Sequence, residues 1–355
     1  MKNHFRLLAT TLSVIIAVCA GSILAFTPPS KALTRHDAKS STPAIIIADV
    51  TYGSTGLPDT TLMTHLSYAF AQITEDFENL EIENPERFAQ IAALCAENPR
   101  LGLILSVGGP RREGFSEMAG SARHRKAFAK NCRRLMDQYG IDWINFDWEF
   151  PGTDKGGHTC SPDDKENYVK LVRDVRKAIG KDRKISFYSN NGAGFMDFPA
   201  MMPYVDYVQA SGYNLNYPPL HQSNLYPSEK CGNWCVDMSV KTHIEKGVPP
   251  EKIILGLPFY GRYAGPLTNG KSDEYYYRNF HRWFPDLTYH WDNEAKAPYL
   301  ADKDGNLMVS FDDPRSLALK CRYVRDNGLA GVFYWAFNRD DSDYTLANTV
   351  RDNLP

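Results

Sequence analysis

Short apolar runs alternate with amphipathic segments along most of the chain. Eight runs have the length and composition of strands, at residues 44–50, 66–71, 101–107, 142–149, 184–189, 204–212, 252–257 and 330–335. Helical periodicity separates most of them, at residues 85–96, 122–139, 162–179, 238–246 and 314–327. Strands that alternate with helices are typical of α/β proteins with a parallel sheet.

The ends of the apolar runs favour one of two architectures. Eight strand–helix units suit a (β/α)8 TIM barrel, and a doubly wound sheet is the alternative. Many runs finish in polar or glycine-rich sequence, and only the barrel explains this, because its active face collects the carboxyl ends of all its strands. We therefore predict a barrel, with a short insertion at residues 263–308 between the seventh strand and the last helix.

Two helix boundaries carry clear signals. Ser161 is a candidate N-cap, since Pro162 and two aspartates follow it in the first turn. Asn327 and Gly328 form a stop signal for the last predicted helix.

The first residues have the pattern of an export signal. Lys2 and Arg6 precede an apolar stretch, and Ser-Lys-Ala suits cleavage after Ala32, with Ala25 as a second candidate. We predict a signal peptide at 1–32, a flexible lead-in at 33–42 and a single catalytic domain at 43–355. The protein would then be secreted, periplasmic or on the cell surface, without a stable membrane span after cleavage. An uncleaved membrane anchor is the alternative, because about 20 apolar residues can cross a bilayer.

Charge and cysteine content narrow the class of partner. The chain has 355 residues with a formal net charge of −2, which gives no electrostatic reason to expect nucleic acid as a partner. No Cys/His spacing indicates a metal site, and we expect no cofactor. Three cysteines lie on apolar helical faces, namely Cys95, Cys132 and Cys321, and we expect them to be buried hydrophobes. The loop cysteines are Cys160, Cys231 and Cys235, and we expect one disulfide involving Cys231 or Cys235.

The fourth apolar run carries the chemistry. Asn145, Asp147 and Glu149 alternate with apolar residues, so a strand would place all three on one face. Burying carboxylates is costly unless they are hydrogen-bonded or used, and this run is therefore a candidate site. Asp142 has the opposite parity, and we expect a hydrogen-bonding role at the strand start. Trp143 shares the parity of Asp147, and we expect it to fill the barrel floor.

Six short motifs together resemble glycoside hydrolase family 18, the chitinase-like enzymes, over nearly all of the chain beyond residue 42. The fourth-strand motif of the family is Asp-x-x-Asp-x-Asp-x-Glu, and here it is Asp142, Asn145, Asp147 and Glu149. The other five are Tyr68-Ala69-Phe70, Ser106-Val107-Gly108-Gly109, Ser211-Gly212-Tyr213-Asn214, Gly256-Leu257-Pro258-Phe259-Tyr260-Gly261-Arg262, and Gly331-Val332 with Trp335. Each is weak alone, but their order at successive strand ends is specific.

The resemblance implies a substrate-assisted retaining mechanism. Such enzymes lack a second carboxylate nucleophile, and the 2-acetamido carbonyl of the substrate attacks the anomeric carbon instead. Glu149 would be the general acid and base, Asp147 would orient the acetamido N–H and stabilise positive charge, and Tyr213 would hydrogen-bond the acetamido oxygen. Trp335 would form the floor of the sugar site. Further substrate-binding positions would be Asn145, Asn214, Tyr52, Phe70, Gly108, Gly109 and Arg262.

Departures from the family pattern affect the walls of the site. Asn145 replaces the middle Asp, and we expect its amide to donate to Asp147 and favour the ionised form. Asn214 replaces an Asp and Ser211 replaces a Met, so substrate preference is less determined than reaction type.

The expected substrate is an N-acetylglucosamine-containing polysaccharide or oligosaccharide. The leading prediction is hydrolysis of β-1,4 linkages in chitin or chitooligosaccharides. An endo-β-N-acetylglucosaminidase acting on N-glycan cores is one alternative, and a non-catalytic, lectin-like chitin-binding relative is the other. Aromatic residues in the loops after strands six and seven would suit a sugar groove. They are Tyr217, Tyr226, Trp234, Tyr263, Tyr275, Tyr276, Tyr277, Trp283 and Trp291, with Trp234 the best single candidate.

Overall fold

All eight predicted barrel strands are present, with boundaries that agree to within three residues. The computed structural model describes residues 43–155, 157–265 and 274–354, so the predicted signal peptide and lead-in lie outside the described residues. The strands are β1 (Ile45–Thr51), β2 (His65–Ile73), β3 (Leu80–Ile82), β4 (Gly102–Pro110), β5 (Trp143–Glu149), β6 (Lys184–Ser189), β7 (Tyr207–Ala210), β8 (Ile253–Pro258), β9 (Tyr260–Tyr263), β10 (Glu274–Tyr276), β11 (Thr288–Asp292), β12 (Ala297–Ala301), β13 (Leu307–Ser310) and β14 (Gly331–Trp335).

Eight parallel strands close into the predicted (β/α)8 barrel. Their order is β1-β14-β8-β7-β6-β5-β4-β2, and pairing of β1 with β2 completes the ring. The short β3 extends β2 in antiparallel fashion outside the ring. Closure removes exposed sheet edges and brings the carboxyl ends of all eight strands to one face.

Helices cover the outside of the barrel, except for the short α7, which belongs to the insertion. They are α1 (Pro85–Glu97), α2 (Phe115–Gly120), α3 (Ala122–Tyr139), α4 (Asp164–Ile179), α5 (Phe198–Met201), α6 (Val236–Glu245), α7 (Phe280–Trp283), α8 (Pro314–Asp326) and α9 (Thr345–Asn353). Within the described residues, no helix is long and apolar enough to cross a membrane.

One predicted helix boundary is wrong and another is confirmed. Helix α4 starts two residues later than predicted, with Asp163 rather than Ser161 at the N-cap. The reason is the Asp164 carboxylate, which accepts hydrogen bonds from the backbone N–H groups of Ser161 and Gly152 and so ties down the preceding loop. Helix α8 ends at Asp326 with Asn327 as its C-cap, and Gly328 follows with a positive φ of 64°, as the stop signal predicts.

The barrel has two hydrophobic cores, one between the strands and the helices and one inside the barrel, because successive side chains of each strand point to opposite faces. In β1, Ile46, Ala48 and Val50 pack outward beneath the helices. Ile47 points inward, where it belongs to a smaller cluster inside the barrel with Trp143, Ile104, Ile254, Phe333, Tyr213 and Tyr260. Trp143 is 1% exposed and its indole N–H donates to Ser186 Oγ at 2.8 Å, which confirms the predicted plug.

The predicted insertion is a small antiparallel sheet. Its strand order is β10-β9-β13-β12-β11, so it begins at Tyr260, three residues before the predicted boundary. Because β9 follows β8 after a single residue, the first strand of the insertion stays beside the barrel mouth. The aromatic core of this sheet contains Tyr275, Phe280, Phe284 and Phe311.

The predicted disulfide is not formed. All six cysteines of the described residues are free thiols. Cys231 donates through its thiol to the backbone carbonyl of Trp234 at 3.2 Å, while Cys235 is buried at the N-cap of α6. The loop therefore satisfies the two sulfurs separately. Cys95, Cys132 and Cys321 are buried, as predicted.

A buried ion pair joins the segment that follows the insertion to helix α8. Lys320 on α8 donates to Asp312 at 2.6 Å, and both side chains are completely buried. The same carboxylate accepts from Ser223 in the loop after β7 and from Ser316. This cluster fixes three segments around the barrel mouth relative to one another.

We expect Lys320→Met to lower the free energy of unfolding by about 3–5 kcal/mol, because it leaves the buried Asp312 carboxylate without its cation. Chemical denaturation measures the change. Lys241→Met is the matched control, since Lys241 pairs with Asp237 at 2.7 Å on an exposed helix surface. Its effect should stay below about 1 kcal/mol. Equal losses in the two variants would contradict this interpretation.

Candidate active site

A cavity of about 790 Å³ opens at the carboxyl ends of the barrel strands. Eight of the predicted site residues line it, namely Glu149, Asp147, Tyr213, Trp335, Asn145, Asn214, Phe70 and Arg262. The remaining lining residues are Asp49, Ser106, Pro110, Arg111, Tyr188, Gln209, Tyr217, Tyr260, Phe333 and Arg339. A cavity of this size is typical of a small-molecule or oligosaccharide site.

Strand register builds a polar layer below the carboxylates. Ser106, Asn145 and Ser186 are register partners on β4, β5 and β6. The Asn145 NH2 group donates to Ser106 Oγ at 2.9 Å, and Ser186 Oγ donates to the Asn145 carbonyl oxygen at 2.7 Å. The prediction that Asn145 donates to Asp147 is therefore wrong, because the amide bonds to the neighbouring serines and the buried Oδ1 of Asp147 has no hydrogen-bond partner.

Asp147 and Glu149 form a contacting pair at the top of β5. Their carboxyl groups are within hydrogen-bonding contact, and both face the cavity. Burial raises the pKa of Glu149 to about 7. Burial, followed by repulsion from Glu149 and then from Asp49, raises the pKa of Asp147 well above its usual range. The pair thus holds a proton at neutral pH, as a general acid requires.

Asp49 is a third acid of the cavity that the sequence analysis did not identify. It lies on β1, two residues beyond the inward-facing Ile47, and it is 6% exposed. Burial raises its pKa to about 7, while Ser67, its register partner on β2, acts in the opposite direction. The signal in the sequence was a single acid within an apolar run.

Tyr213 is held against the inner wall of the cavity. Its ring makes edge contacts with Tyr260 and Phe333, at centroid distances of 6.0 and 5.9 Å. Gly256 makes this possible, since a Cβ there would lie 2.8 Å from the Tyr213 ring and 2.7 Å from Phe333. Burial raises the pKa of Tyr213 well above its usual range, so its hydroxyl is a neutral hydrogen-bond donor.

Trp335 and Phe70 form an apolar wall. Their rings stack at 5.8 Å with an interplanar angle of 24°. Arg339 lies over Trp335 at 5.7 Å and over Tyr260 at 4.8 Å. Flat apolar faces of this kind suit the C–H surface of a pyranose ring. The peptide bonds Ala69–Phe70, Glu149–Phe150 and Trp335–Ala336 are cis.

Asn214 and Arg262 form the polar side of the mouth. The Asn214 carbonyl oxygen accepts from the Tyr260 hydroxyl at 3.0 Å and from Arg262 Nε at 2.9 Å. The Arg262 guanidinium also lies over the Tyr217 ring at 5.0 Å. With its oxygen engaged twice, Asn214 can offer a ligand its NH2 group, where an Asp would offer only acceptors.

Three predicted site residues are not among those that line the cavity. Tyr52 follows β1 with 41% of its surface exposed, and its carbonyl accepts from Asn84. Gly108 and Gly109 have positive φ values of 105° and 99°. A Cβ at Gly108 would lie 2.6 Å from the Asp147 carbonyl, and one at Gly109 would lie 2.8 Å from the Phe70 ring. Both glycines therefore allow close packing beneath site residues, and direct substrate contact by these three residues stays a prediction.

Other predictions about the surroundings have mixed outcomes. Asp142 accepts from the Leu103 backbone N–H at 2.9 Å, which confirms its role at the strand start. Of the aromatic residues proposed for the groove, Tyr217 alone lines the cavity. Tyr263 and Trp283 pack on the core of the insertion, and Trp234 packs against the barrel core. Among the described residues, no group of three or more His, Cys, Asp and Glu side chains could hold a metal ion.

Comparisons with known proteins agree on one family. A family model described as glycosyl hydrolases family 18 matches residues 41–340. Chitotriosidase-1 of Mus musculus is 29% identical over 348 residues, which cover 83% of this chain and 73% of that protein. Chitinase A1 of Niallia circulans is 28% identical over 314 residues, which cover 75% of this chain but only 44% of that protein.

The fold has close counterparts among solved structures. A family 18 N-acetylglucosaminidase from Paenibacillus barengoltzii superposes with a TM-score of 0.78 at 28% identity, covering 88% of this chain and 100% of that chain. Chitinase ChiW from Paenibacillus sp. str. FPU-7 gives a TM-score of 0.79 at 27% identity, covering 87% of this chain and 42% of that chain. The barrel is thus a known architecture.

Proposed function

We propose, because this chain belongs to family 18 of the glycosyl hydrolases, that it cleaves β-1,4 linkages following N-acetylglucosamine in chitin or chitooligosaccharides. The observation that carries the proposal is the contacting pair of Asp147 and Glu149, which lines a cavity together with Tyr213 and Trp335. The chitinases among the relatives support the substrate class.

The first step breaks the glycosidic bond. Glu149 donates its proton to the leaving oxygen, and the acetamido carbonyl oxygen of the substrate attacks the anomeric carbon from the opposite face. Asp147, as the carboxylate, accepts a hydrogen bond from the acetamido N–H and stabilises the positive charge of the oxazolinium ring. Tyr213 donates to the acetamido oxygen, and Trp335 supports the distorted sugar from below.

The second step returns the proton. Water attacks the anomeric carbon while Glu149, now a carboxylate, takes a proton from it, and the oxazolinium ring opens. Two inversions at the same carbon retain the β configuration. The mechanism needs one carboxyl group that is protonated and an adjacent one that is ionised, which is the state expected of two acids in contact.

We expect the rate to fall as pH rises through about 7. Burial raises the pKa of Glu149 to about 7, and only the protonated form can donate to the leaving oxygen. Because Asp147 and Glu149 titrate together, the basic limb of kcat/KM against pH reports the pair. Initial rates between pH 4 and pH 10 measure it. A basic limb at the ordinary carboxyl value of about 4.3 would contradict the geometry.

The proposed substrate is tested by product analysis. Chitooligosaccharides of defined length and a high-mannose glycopeptide are incubated separately with the protein, and the products are identified by mass. We expect cleavage of the chitooligosaccharides, with β-anomers at the new reducing ends in early proton NMR spectra. If the glycan is released from the glycopeptide while the chitooligosaccharides stay intact, the result would favour an endo-β-N-acetylglucosaminidase. Binding of both without cleavage would favour a lectin, and α-anomers would exclude the retaining mechanism.

Export is the second part of the proposal. The charged and apolar pattern of residues 1–32 supports removal of a signal peptide after Ala32, before a single catalytic domain at 43–355. N-terminal sequencing of the protein outside the cytoplasm would locate the cleavage, and an intact Met1 on a membrane-bound protein would favour the uncleaved anchor.

A further inference from the structure

The polar layer beneath the acid pair makes no hydrogen bond to Asp147, one of the two acids. Gln209 Nε2 donates to Ser186 Oγ at 3.4 Å, and further side-chain hydrogen bonds connect Ser186 to Asn145 and Asn145 to Ser106. None of these bonds reaches Asp147, whose buried Oδ1 has no hydrogen-bond partner. The family pattern would place a second carboxyl group at position 145, and Asn145 cannot supply one.

Asp49 places a carboxyl group in the same cavity from another strand. It lines the cavity with Asp147 and Glu149, and its charge acts on both Asp147 and Tyr213. Its inward orientation follows from strand parity, since Ile47 packs inside the barrel and the two flanking residues, Ala48 and Val50, pack outside. A buried acid at this point repels a second negative charge on the pair.

We propose that Asp49 is a positioning residue for Asp147, supplying from β1 the carboxyl group that the family pattern places at position 145. The inference rests on the proposed function for its catalytic consequence. Asp49 acts through charge, because its ionised form makes loss of the shared proton from Asp147 and Glu149 less favourable. That proton then stays on the pair at neutral pH, where Glu149 can deliver it to the leaving oxygen.

Other titratable and charged groups face the cavity, and none of them changes in the test. The acidic and phenolic groups are Asp147 and Glu149 on β5, Tyr188 on β6, Tyr213 after β7 and Tyr260 on β9. Tyr334 on the adjacent β14 packs in the outer core, and the charge of Asp49 acts on it as well. The cations at the mouth are Arg111, Arg262 and Arg339. All of them are kept in the variants, so a difference between variants reports the carboxyl group alone.

The test moves the carboxyl group between the two positions. We expect Asp49→Asn to lower kcat about 10- to 100-fold and to shift the basic limb about one pH unit downward, since the pair loses a repelling neighbour. In the double variant Asp49→Asn/Asn145→Asp, the acid returns on β5, and most of the rate and the original basic limb should return. A double variant as slow as Asp49→Asn would overturn the proposal. An unchanged pH profile in Asp49→Asn would do the same.

A matched control separates this role from burial of an acid in general. Asp340 is also a buried acid whose pKa burial raises, to about 6, but it accepts from the N–H groups of Leu346 and Ala347 at the start of α9 and does not line the cavity. We expect Asp340→Asn to lower the unfolding temperature and leave the basic limb in place. A limb that shifts equally in Asp340→Asn would overturn the proposal.

Unfolding temperatures test the interaction between Asp49 and Asp147 without any measurement of catalysis. If the wild-type protein cleaves no substrate, the proposed function fails, and coupling between Asp49 and Asp147 is read from unfolding temperatures at pH 8. Both acids destabilise the folded state when ionised, so Asp49→Asn and Asp147→Asn should each raise the unfolding temperature. The double variant should gain less than the sum, because each substitution already relieves their mutual repulsion. Strictly additive gains would overturn the coupling.

Discussion

Glu149→Gln is expected to lower kcat about 10²- to 10⁴-fold, the range associated with loss of a general acid and base. Gln keeps the shape of the side chain but has no proton to give to the leaving oxygen. The loss should be smaller for an aryl glycoside whose leaving group is a good anion, because bond cleavage then needs little protonation. Steady-state rates on a chitooligosaccharide and on such an aryl glycoside measure the difference.

The folded state should tolerate this substitution. Burial raises the pKa of Glu149 to about 7, which means that its ionised form destabilises the folded protein at higher pH. The unfolding temperature of Glu149→Gln should therefore equal or exceed that of the wild type at pH 8. Glu166→Gln is the matched control, since Glu166 lies exposed on α4 beside Lys170 and should keep the full rate. Retention of more than about a tenth of the activity in Glu149→Gln would exclude Glu149 as the acid.

The alternation along β5 was sufficient to predict the core of the site. Ile144, Phe146 and Trp148 pack outward beneath the helices, so Asn145, Asp147 and Glu149 must face inward together. This inference needs only the period of a strand and no knowledge of its neighbours. The barrel followed in the same way, because each strand and helix has a local pattern that agrees with the global fold.

The partners of these residues could not be predicted from a single strand. Asn145 donates to Ser106 and accepts from Ser186 because the register of β4, β5 and β6 aligns the three residues. Register between strands far apart in sequence is set by closure of the whole barrel. A strand considered alone left Asp147 as the nearest candidate, and that choice was wrong.

Asp49 was missed for a related reason. It is one acid in a short apolar strand, without a second acid two residues away, so its run has no local sign of a paired carboxylate site. Only the closed barrel brings β1 and β5 to the same cavity. The departure at Asn145 was visible in the sequence, whereas the acid that accompanies it on another strand required the fold.

The loop aromatics show where composition alone is a weak guide. Tyr263, Tyr275 and Trp283 pack in or on the core of the insertion, and Tyr217 lines the cavity. A small antiparallel sheet needs large side chains to bury enough apolar surface. Four of the nine loop aromatics thus contribute to the core of the insertion, namely Tyr263, Tyr275, Tyr277 and Trp283. The first strand of the insertion provides Tyr260 and Arg262 to the cavity wall.

Asp147→Asn is the second substitution with a large expected effect, a loss of about 10²- to 10³-fold in kcat. Asn can still accept the acetamido N–H through its carbonyl oxygen, but it carries no negative charge. The positive charge of the oxazolinium ring develops only after the substrate is bound, so the stabilisation that is lost belongs to the transition state. KM should therefore change little.

The control for this variant is the residue directly before the same strand. Asp142 is exposed, has the opposite parity and accepts from the Leu103 N–H at 2.9 Å, so Asp142→Asn removes a charge at the start of β5, outside the cavity. We expect it to keep the wild-type kcat, because its carboxyl group neither faces the substrate nor contacts Glu149. If Asp147→Asn instead raised KM and left kcat unchanged, Asp147 would be a ground-state binding group rather than a stabiliser of developing charge. Equal losses in both variants would point to distortion of β5 as a whole.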